Sequence, residues 1–256
     1  MFIWSPDPEL FALGPFHIRW YGLLFSLAFL SSFMVMLWIF RRERKGEDIL
    51  NRLFLYVFIG VVAGARLGHC LFYGPEYYLT HPLEILKVWE GGLASHGAAA
   101  GILIALVLFL KRTKGMTFFW VSDRVSVVIP LAAIFVRLGN FMNSEILGLP
   151  ASVPWAVVFE RVDSIPRHPV QLYEALSYAV IFSLMLVAYK RNWSQRPGRL
   201  TGSMLSMLFG MRFILEFFKT GQSSLDPSLP ITMGQVLSIP LVAFGLWLLS
   251  RKPSKA

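Results

Sequence analysis

The chain has 256 residues, of which 55 % are hydrophobic and 15 % charged; a soluble domain carries roughly a quarter charged residues, so a water-soluble globule is excluded and a polytopic membrane protein is implied. The net charge of +9 does not point to nucleic acid, because the basic residues bunch just past hydrophobic segments, as topology determinants do. The single cysteine, Cys70, excludes an internal disulfide and a cysteine-based metal cluster, and its neighbours His69, Leu71 and Phe72 suit a packed, inert thiol.

In chain order, Met1 to Leu24 does not read as a removable signal peptide, since no basic stretch precedes its apolar run and the positive cluster follows it. Apolar segments recur at roughly 17–40, 50–73, 93–110, 117–137, 170–189, 200–218 and 232–250. They predict an all-α polytopic bundle of about seven transmembrane helices, a single transmembrane domain over residues 1–256 with no soluble second domain. Arg41, Arg42, Arg44 and Lys45 follow the first segment; Lys111, Arg112 and Lys114 the third; Lys190, Arg191, Arg196 and Arg199 the fifth; Arg251, Lys252 and Lys255 the seventh. The intervening loops are richer in acids (Asp7, Glu9, Glu76, Glu84, Glu90, Glu160, Asp163, Asp226), with Lys87, Arg161, Arg167 and Lys219 as exceptions. The positive-inside rule then places the N-terminus outside and the C-terminus inside. Gly74 to Gly92, aromatic at Tyr77, Tyr78 and Trp89, is expected along the outer interface. Region 138–169 is the largest outer loop, and its Pro150, Pro154, Pro166 and Pro169 argue against a continuous helix.

The most informative stretch closes the fourth segment: Arg137-Leu138-Gly139-Asn140-Phe141-Met142-Asn143-Ser144-Glu145-Ile146-Leu147-Gly148. Ionisable groups are costly at such a boundary and are site candidates by default. With the topology above, Tyr21, Arg66, His96, then Arg137, Asn140, Asn143 and Glu145, then His168, Gln171, Tyr173 and Glu174, and finally Arg212 and Glu216 all fall toward the outer ends of their helices. Each has a plainer explanation. Arg66 can snorkel or pair with a backbone carbonyl, and His96 can be a packing histidine. Arg212 and Glu216, spaced i, i+4, can neutralise each other. The glycines near His96 can serve helix packing. Taken jointly, one shared depth favours a polar cavity between helices. Arginine stays charged in a low dielectric and offers a planar fork for phosphate oxygens, and a histidine can take a proton from an attacking group. The chemistry is that of a phospholipid-handling enzyme at the outer face.

The run 137–148 resembles the signature of the bacterial prolipoprotein diacylglyceryl transferase family, G-R-x-G-N-F-x-N-x-E-x-x-G. Arg19-Trp20-Tyr21-Gly22-Leu23, Gly64-Ala65-Arg66-Leu67-Gly68 with Leu71-Phe72-Tyr73, Gly91-Gly92-Leu93-Ala94-Ser95-His96-Gly97, His168-Pro169-Val170-Gln171-Leu172-Tyr173-Glu174 and Arg212-Phe213-Ile214-Leu215-Glu216-Phe217 resemble further family motifs in order. The resemblance implies transfer of the diacylglyceryl group of phosphatidylglycerol to the lipobox cysteine thiol of a preprolipoprotein signal peptide. Glycerol 1-phosphate is released, at the periplasmic face of the bacterial inner membrane. It implies Arg137 and Arg212 as phosphate-binding catalytic residues and His96 as the base. Tyr21, Asn140, Asn143, Glu145 and Arg66 would contact phosphatidylglycerol, with Gly148, Glu216, His168, Gln171, Tyr173 and Glu174 in support. Bilayer lipid is a partner; no metal, cofactor or nucleic acid is implied, and Cys70 needs no role. The sequence departs from the family pattern at Val136, at Gly97-Ala98, at Phe209 and at Lys219-Thr220-Gly221-Gln222.

Two rivals are weaker. An anion transporter or lipid-binding bundle predicts inverted repeats and helices broken at the midplane, and neither is visible. An intramembrane serine protease would pair Ser95 with His96, adjacent in sequence and poorly placed for a dyad, and no Gly-x-Ser-x-Gly occurs.

Overall fold

Long apolar runs satisfy their own backbone polar groups only as helices or closed barrels in lipid, and this chain takes the helical solution. The computed structural model describes residues 2–14, 16–88, 91–221 and 231–251; the readings on Trp89, Glu90, Gln222, Asp226, Lys252 and Lys255, and on the side chain of Ser95, lie outside the described residues. The helices are α1 (Trp20–Arg42), α2 (Glu47–Tyr73), α3 (Pro75–Thr80), α4 (Ser95–Arg112), α5 (Phe118–Met142), α6 (Val170–Lys190), α7 (Arg199–Leu215) and α8 (Met233–Ser250). Among the described residues six, all but α3 and α4, are long and apolar enough to cross a bilayer, α7 together with the 3-10 turn Glu216–Phe218 that continues it. Helix α4, 18 residues long, answers to the apolar segment expected at 93–110. Basic residues close α1 (Arg41, Arg42), α4 (Lys111, Arg112) and α6 (Lys190), where they also face the negative end of the helix dipole.

One boundary needs correcting. The fourth segment, expected to end near residue 137, is helical to Met142, so Asn140, expected in the outer loop, projects from the same helix as Arg137. A second feature was absent from the sequence reading: short strands flank the helices. Strands β1 (Phe2–Trp4), β4 (Val157–Phe159) and β5 (Pro166–Arg167) form one sheet in the order β1-β4-β5, and β2 (Glu9–Leu13) pairs with β3 (Phe16–Arg19) as a hairpin. β1 lies parallel to β4, Phe2 opposite Val157 and Trp4 opposite Phe159. Trp4 stacks on Phe141 at 4.4 Å between ring centres and donates from Nε1 to the Phe141 carbonyl at 2.9 Å. The end of α5 is thereby seated on a small apolar core of Phe141, Val157 and Phe159.

The chain divides into two compact units, Met1–Val35 with Asp123–Ala256, and Met36–Ser122. In the smaller unit, α2 and α4 meet along glycine. A Cβ on Gly60 would stand 2.6 Å from the Gly101 carbonyl oxygen and one on Gly68 2.8 Å from the Gly97 Cα, while Gly64 and Gly101 approach the Gly97 and Gly60 carbonyls more closely still. Lipid offers no hydrophobic drive for helix association, so small residues that let backbones touch supply the packing. Gly101→Leu should therefore force α2 and α4 apart, at a cost of about 3 kcal/mol or more. Thermal unfolding of the detergent-purified variant should show a clearly lowered midpoint. Gly210→Ala, where nothing lies within 4 Å of the added Cβ, should melt like the parent; equal melting of both variants would refute backbone contact as the cause.

In the larger unit, α6 buries Val170, Gln171, Glu174, Ala175, Tyr178, Ile181 and Met185 on one face, with polar residues at one end of it. The opposite face exposes Leu176, Val180, Leu184 and Val187. A helix apolar all round with polar groups turned inward is what a lipid-facing bundle member requires. Asp123 of α5 accepts from the backbone of Gly198 at 2.9 Å and of Thr201 at 2.8 Å, and from the Thr201 hydroxyl at 2.8 Å, so it caps the otherwise unsatisfied start of α7. Helix α8 begins with a capping box between Thr232 and Gln235.

Candidate active site

Helix α5 stops in a Schellman turn. The Glu145 amide donates to the Asn140 carbonyl at 3.0 Å and that of Ser144 to the Phe141 carbonyl at 3.1 Å. Ser144 takes the left-handed conformation (φ 55°) where glycine is usual, and Ile146 does the same at φ 58°. Two non-glycine residues in that region within three positions hold backbone strain of about 1 kcal/mol or more each. The turn folds Glu145 back under the helix end, where its Oε1 accepts from Asn140 Nδ2 at 3.0 Å and Asn143 Nδ2 at 3.2 Å. Gln171, fully buried in the first turn of α6, donates to the Glu145 carbonyl at 2.8 Å. Gly139 leaves room for Tyr21, whose ring atom Cδ2 would lie 2.8 Å from an added Cβ.

One turn before that cap, Arg137 enters a buried charge cluster. Its Nε stands 3.0 Å from Glu174 Oε2, an ion pair in which Oε2 receives no aligned hydrogen bond, and its Nη1 donates to Asn140 Oδ1 at 3.3 Å. Glu174, with no exposed surface, also takes Lys219 Nζ on Oε1 at 2.9 Å, and the same Nζ donates to Glu216 Oε2 at 3.0 Å. The Tyr178 hydroxyl donates to Glu174 Oε1 at 3.4 Å and lies beside Arg137 and within electrostatic reach of Arg212. Arginines from α5 and α7 thus both lie in the neighbourhood of one phenol. The i, i+4 pairing of Arg212 with Glu216 that the sequence allowed is not formed: Glu216 turns to Lys219, and among the described residues Arg212 has no hydrogen-bond or ion-pair partner.

The segment after the cap is held by backbone rungs on both sides. Leu149 donates to the Phe218 carbonyl at 2.8 Å, Thr220 to Leu147 at 3.1 Å, and His168 to Leu149 at 3.0 Å. Gly148 packs so closely on His168 that an added Cβ would collide with the His168 carbonyl oxygen and stand 2.9 Å from its Cβ. Arg167 donates to the Gly148 carbonyl at 3.2 Å and to Asp163 at 2.5 Å; this guanidinium holds the Asp163 carboxyl below its ordinary range, and a backbone hydrogen bond from Ile165 adds to the effect. Tyr173, expected in support, bridges Trp155 Nε1 at 2.7 Å and His168 Nδ1 at 3.1 Å.

In the smaller unit, Arg66 is buried and donates to three carbonyls, Ile85 at 3.0 Å, Gly91 at 2.7 Å and Glu84 at 2.6 Å, with its guanidinium 5.2 Å from the centre of the Tyr78 ring. Its charge ties down the carbonyls of Glu84, Ile85 and Gly91, the carbonyl pairing that the sequence left open. His96, in the first turn of α4, is exposed and lies edge-on to Phe72 at 4.9 Å. Cys70 is 1 % exposed.

Of the residues singled out from sequence, Tyr21, Arg137, Asn140, Asn143, Glu145, Gly148, His168, Gln171, Tyr173, Glu174, Arg212 and Glu216 fall in the larger unit, and His96 and Arg66 in the smaller. Sequence reasoning passed over Lys219, an exception in the charge count, and Tyr178, an ordinary aromatic in an apolar run. A lysine three residues after a glutamate just past a membrane helix was the available signal for the first.

A sequence model of prolipoprotein diacylglyceryl transferases matches residues 8–251. The chain is 48 % identical to a protein of Chloroherpeton thalassium over 99 % of its own length and 95 % of the relative's. It is 49 % identical to one of Tolumonas auensis over 98 % of each, and 43 % identical to one of Bacteroides fragilis over 95 % and 92 %. All three relatives bear the name phosphatidylglycerol–prolipoprotein diacylglyceryl transferase.

Proposed function

Because this chain belongs to the prolipoprotein diacylglyceryl transferase family, we propose that it moves the diacylglyceryl group of phosphatidylglycerol onto the thiol of a lipobox cysteine in a preprolipoprotein. It is a multi-pass membrane enzyme. In the reaction the cysteine sulfur forms a bond to the glyceryl carbon, the bond from that carbon to the phosphate oxygen breaks, and glycerol 1-phosphate leaves with the electron pair. The thiol proton passes to His96, a role that rests on the likeness of residues 91–97 to the family's motif. We place the reaction at the periplasmic side of the bacterial inner membrane, in a chain of seven spans with its N-terminus outside.

The observation that supports the site assignment best is the largely buried Arg137, held by Glu174 of α6 and by Asn140, which in turn donates to Glu145 of the signature run, with Arg212 of α7 in the neighbourhood of the same Tyr178 phenol. Arg137 is oriented by Glu174, Asn140 and Tyr178, and we assign its guanidinium, together with that of Arg212, to the phosphate. Donors aimed at the departing phosphate stabilise the charge that grows there. The headgroup glycerol brings hydroxyl donors, and the buried Gln171 Oε1 and Asn143 Oδ1 have no donor of their own among the described residues. Asn140, Glu145 and Tyr21 complete this lining, and Arg66 acts by ordering its loop.

Incubating the purified protein with phosphatidylglycerol and a lipobox peptide should add one diacylglyceryl mass to the peptide. The gain should vanish when the peptide cysteine is serine. No mass gain with the cysteine peptide would reject the reading.

A further inference from the structure

The buried charges of the larger unit do not pair as sequence spacing suggests. Two carboxylates, Glu174 and Glu216, are each at most 5 % exposed, and Lys219 Nζ, 1 % exposed, stands within 3.0 Å of both. With Arg137 on the second oxygen of Glu174, two cations match two anions. Arg212, four residues before Glu216 and one helical turn away, is left without a partner among the described residues. An i, i+4 glutamate would ordinarily claim such an arginine, and a claimed guanidinium is poorly available to a phosphate.

We infer that Lys219 is a positioning residue: it draws Glu216 away from Arg212 and so keeps that guanidinium open for the anionic headgroup. The backbone supports the geometry. Lys219 follows a 3-10 turn and bridges to Gly148, and Thr220 donates to the Leu147 carbonyl from both its amide and its hydroxyl. The ammonium is thereby fixed, buried, next to the signature segment. In sequence Lys219 stands out as a breach of the charge pattern and as a departure from the family pattern, with no role attached.

The inference rests on the lipid-transfer reading, so its test is built on binding as well as turnover. Lys219→Met should leave Glu216 free to fold back on Arg212. The Kd for phosphatidylglycerol in detergent, and the KM for it in the peptide assay, should both rise about tenfold or more while kcat falls less. Lys219→Arg should behave like the parent. In the double variant Lys219→Met/Glu216→Gln the competing charge is gone, and phosphatidylglycerol binding should recover relative to Lys219→Met alone. A merely structural lysine gives a different pattern, in which the double variant binds no better than the single one; that result would overturn the inference, as would an unchanged Kd in Lys219→Met. Should Lys219→Met not stay folded, Lys219→Gln read against Lys219→Gln/Glu216→Gln makes the same comparison. If the parent binds phosphatidylglycerol but never modifies the peptide, the transfer reading fails while the binding comparison still decides the role of Lys219.

Discussion

Arg137→Ala is expected to abolish detectable diacylglyceryl transfer while the protein remains in the membrane. Two losses coincide. On the proposed function the substitution withdraws a charged fork from the phosphate, and removal of one such stabilising group lowers rates by about a hundredfold to a thousandfold. It also strips an ion-pair partner from Glu174, a carboxylate with no exposed surface; leaving a buried charge half compensated costs about 3–5 kcal/mol. Arg137→Lys separates the two effects. Lysine keeps the charge but not the planar fork, so it should hold the fold near that of the parent and recover only a small fraction of activity. The check is peptide mass gain at matched membrane protein level, beside thermal unfolding of each variant. Parent-like activity in Arg137→Ala would refute the assignment of this residue to the reaction.

The second large effect is expected from the smallest change. Gly148→Ala adds one methyl where the His168 carbonyl and Cβ already lie against the backbone. Both neighbours belong to a segment pinned by rungs to Leu149 and by Arg167 to the Gly148 carbonyl, so neither yields cheaply. Relief must come from separating the 147–149 stretch from 166–168 or from 218–220. The latter carries Lys219, and the former follows directly on Glu145. A destabilisation of about 1–3 kcal/mol is expected, with a disproportionate fall in transfer because the displaced backbone aims the charge cluster. The paired measurements are unfolding midpoint and transfer rate. A variant with lowered stability but undiminished kcat/KM for phosphatidylglycerol would show that this packing serves the fold alone.

Helices were legible in the sequence because lipid imposes one rule on every span: an apolar run of sufficient length must close its own hydrogen bonds. Each expected segment therefore reappears as a helix with ends displaced by a few residues. The polar run 137–148 was legible for the matching reason, since arginine, asparagine and glutamate at the edge of a span cost too much to be incidental. The family resemblance read from these motifs is borne out, at the level of the family, by the match over residues 8–251.

Other features depend on contacts between residues far apart in the chain, which periodicity does not encode. The parallel pairing of Phe2–Trp4 with Val157–Phe159 joins segments about 150 residues apart, and three-residue strands are too short to alternate visibly. The glycine seam between α2 and α4 was half seen, at Gly97, because its other half, Gly60, Gly64 and Gly68, lies in a different apolar run. The choice of partner for Glu216 is the clearest instance. Spacing along one helix offered Arg212; the 3-10 turn after α7 turned the chain so that Lys219 arrived instead, a donor that Glu216 shares with Glu174 of α6. Composition and patterning determined that this chain crosses a membrane and carries ionisable groups at the edges of its spans. Which charges neutralise one another was decided by the tertiary structure, because electrostatic pairing in a low dielectric follows distance in space and not position in sequence.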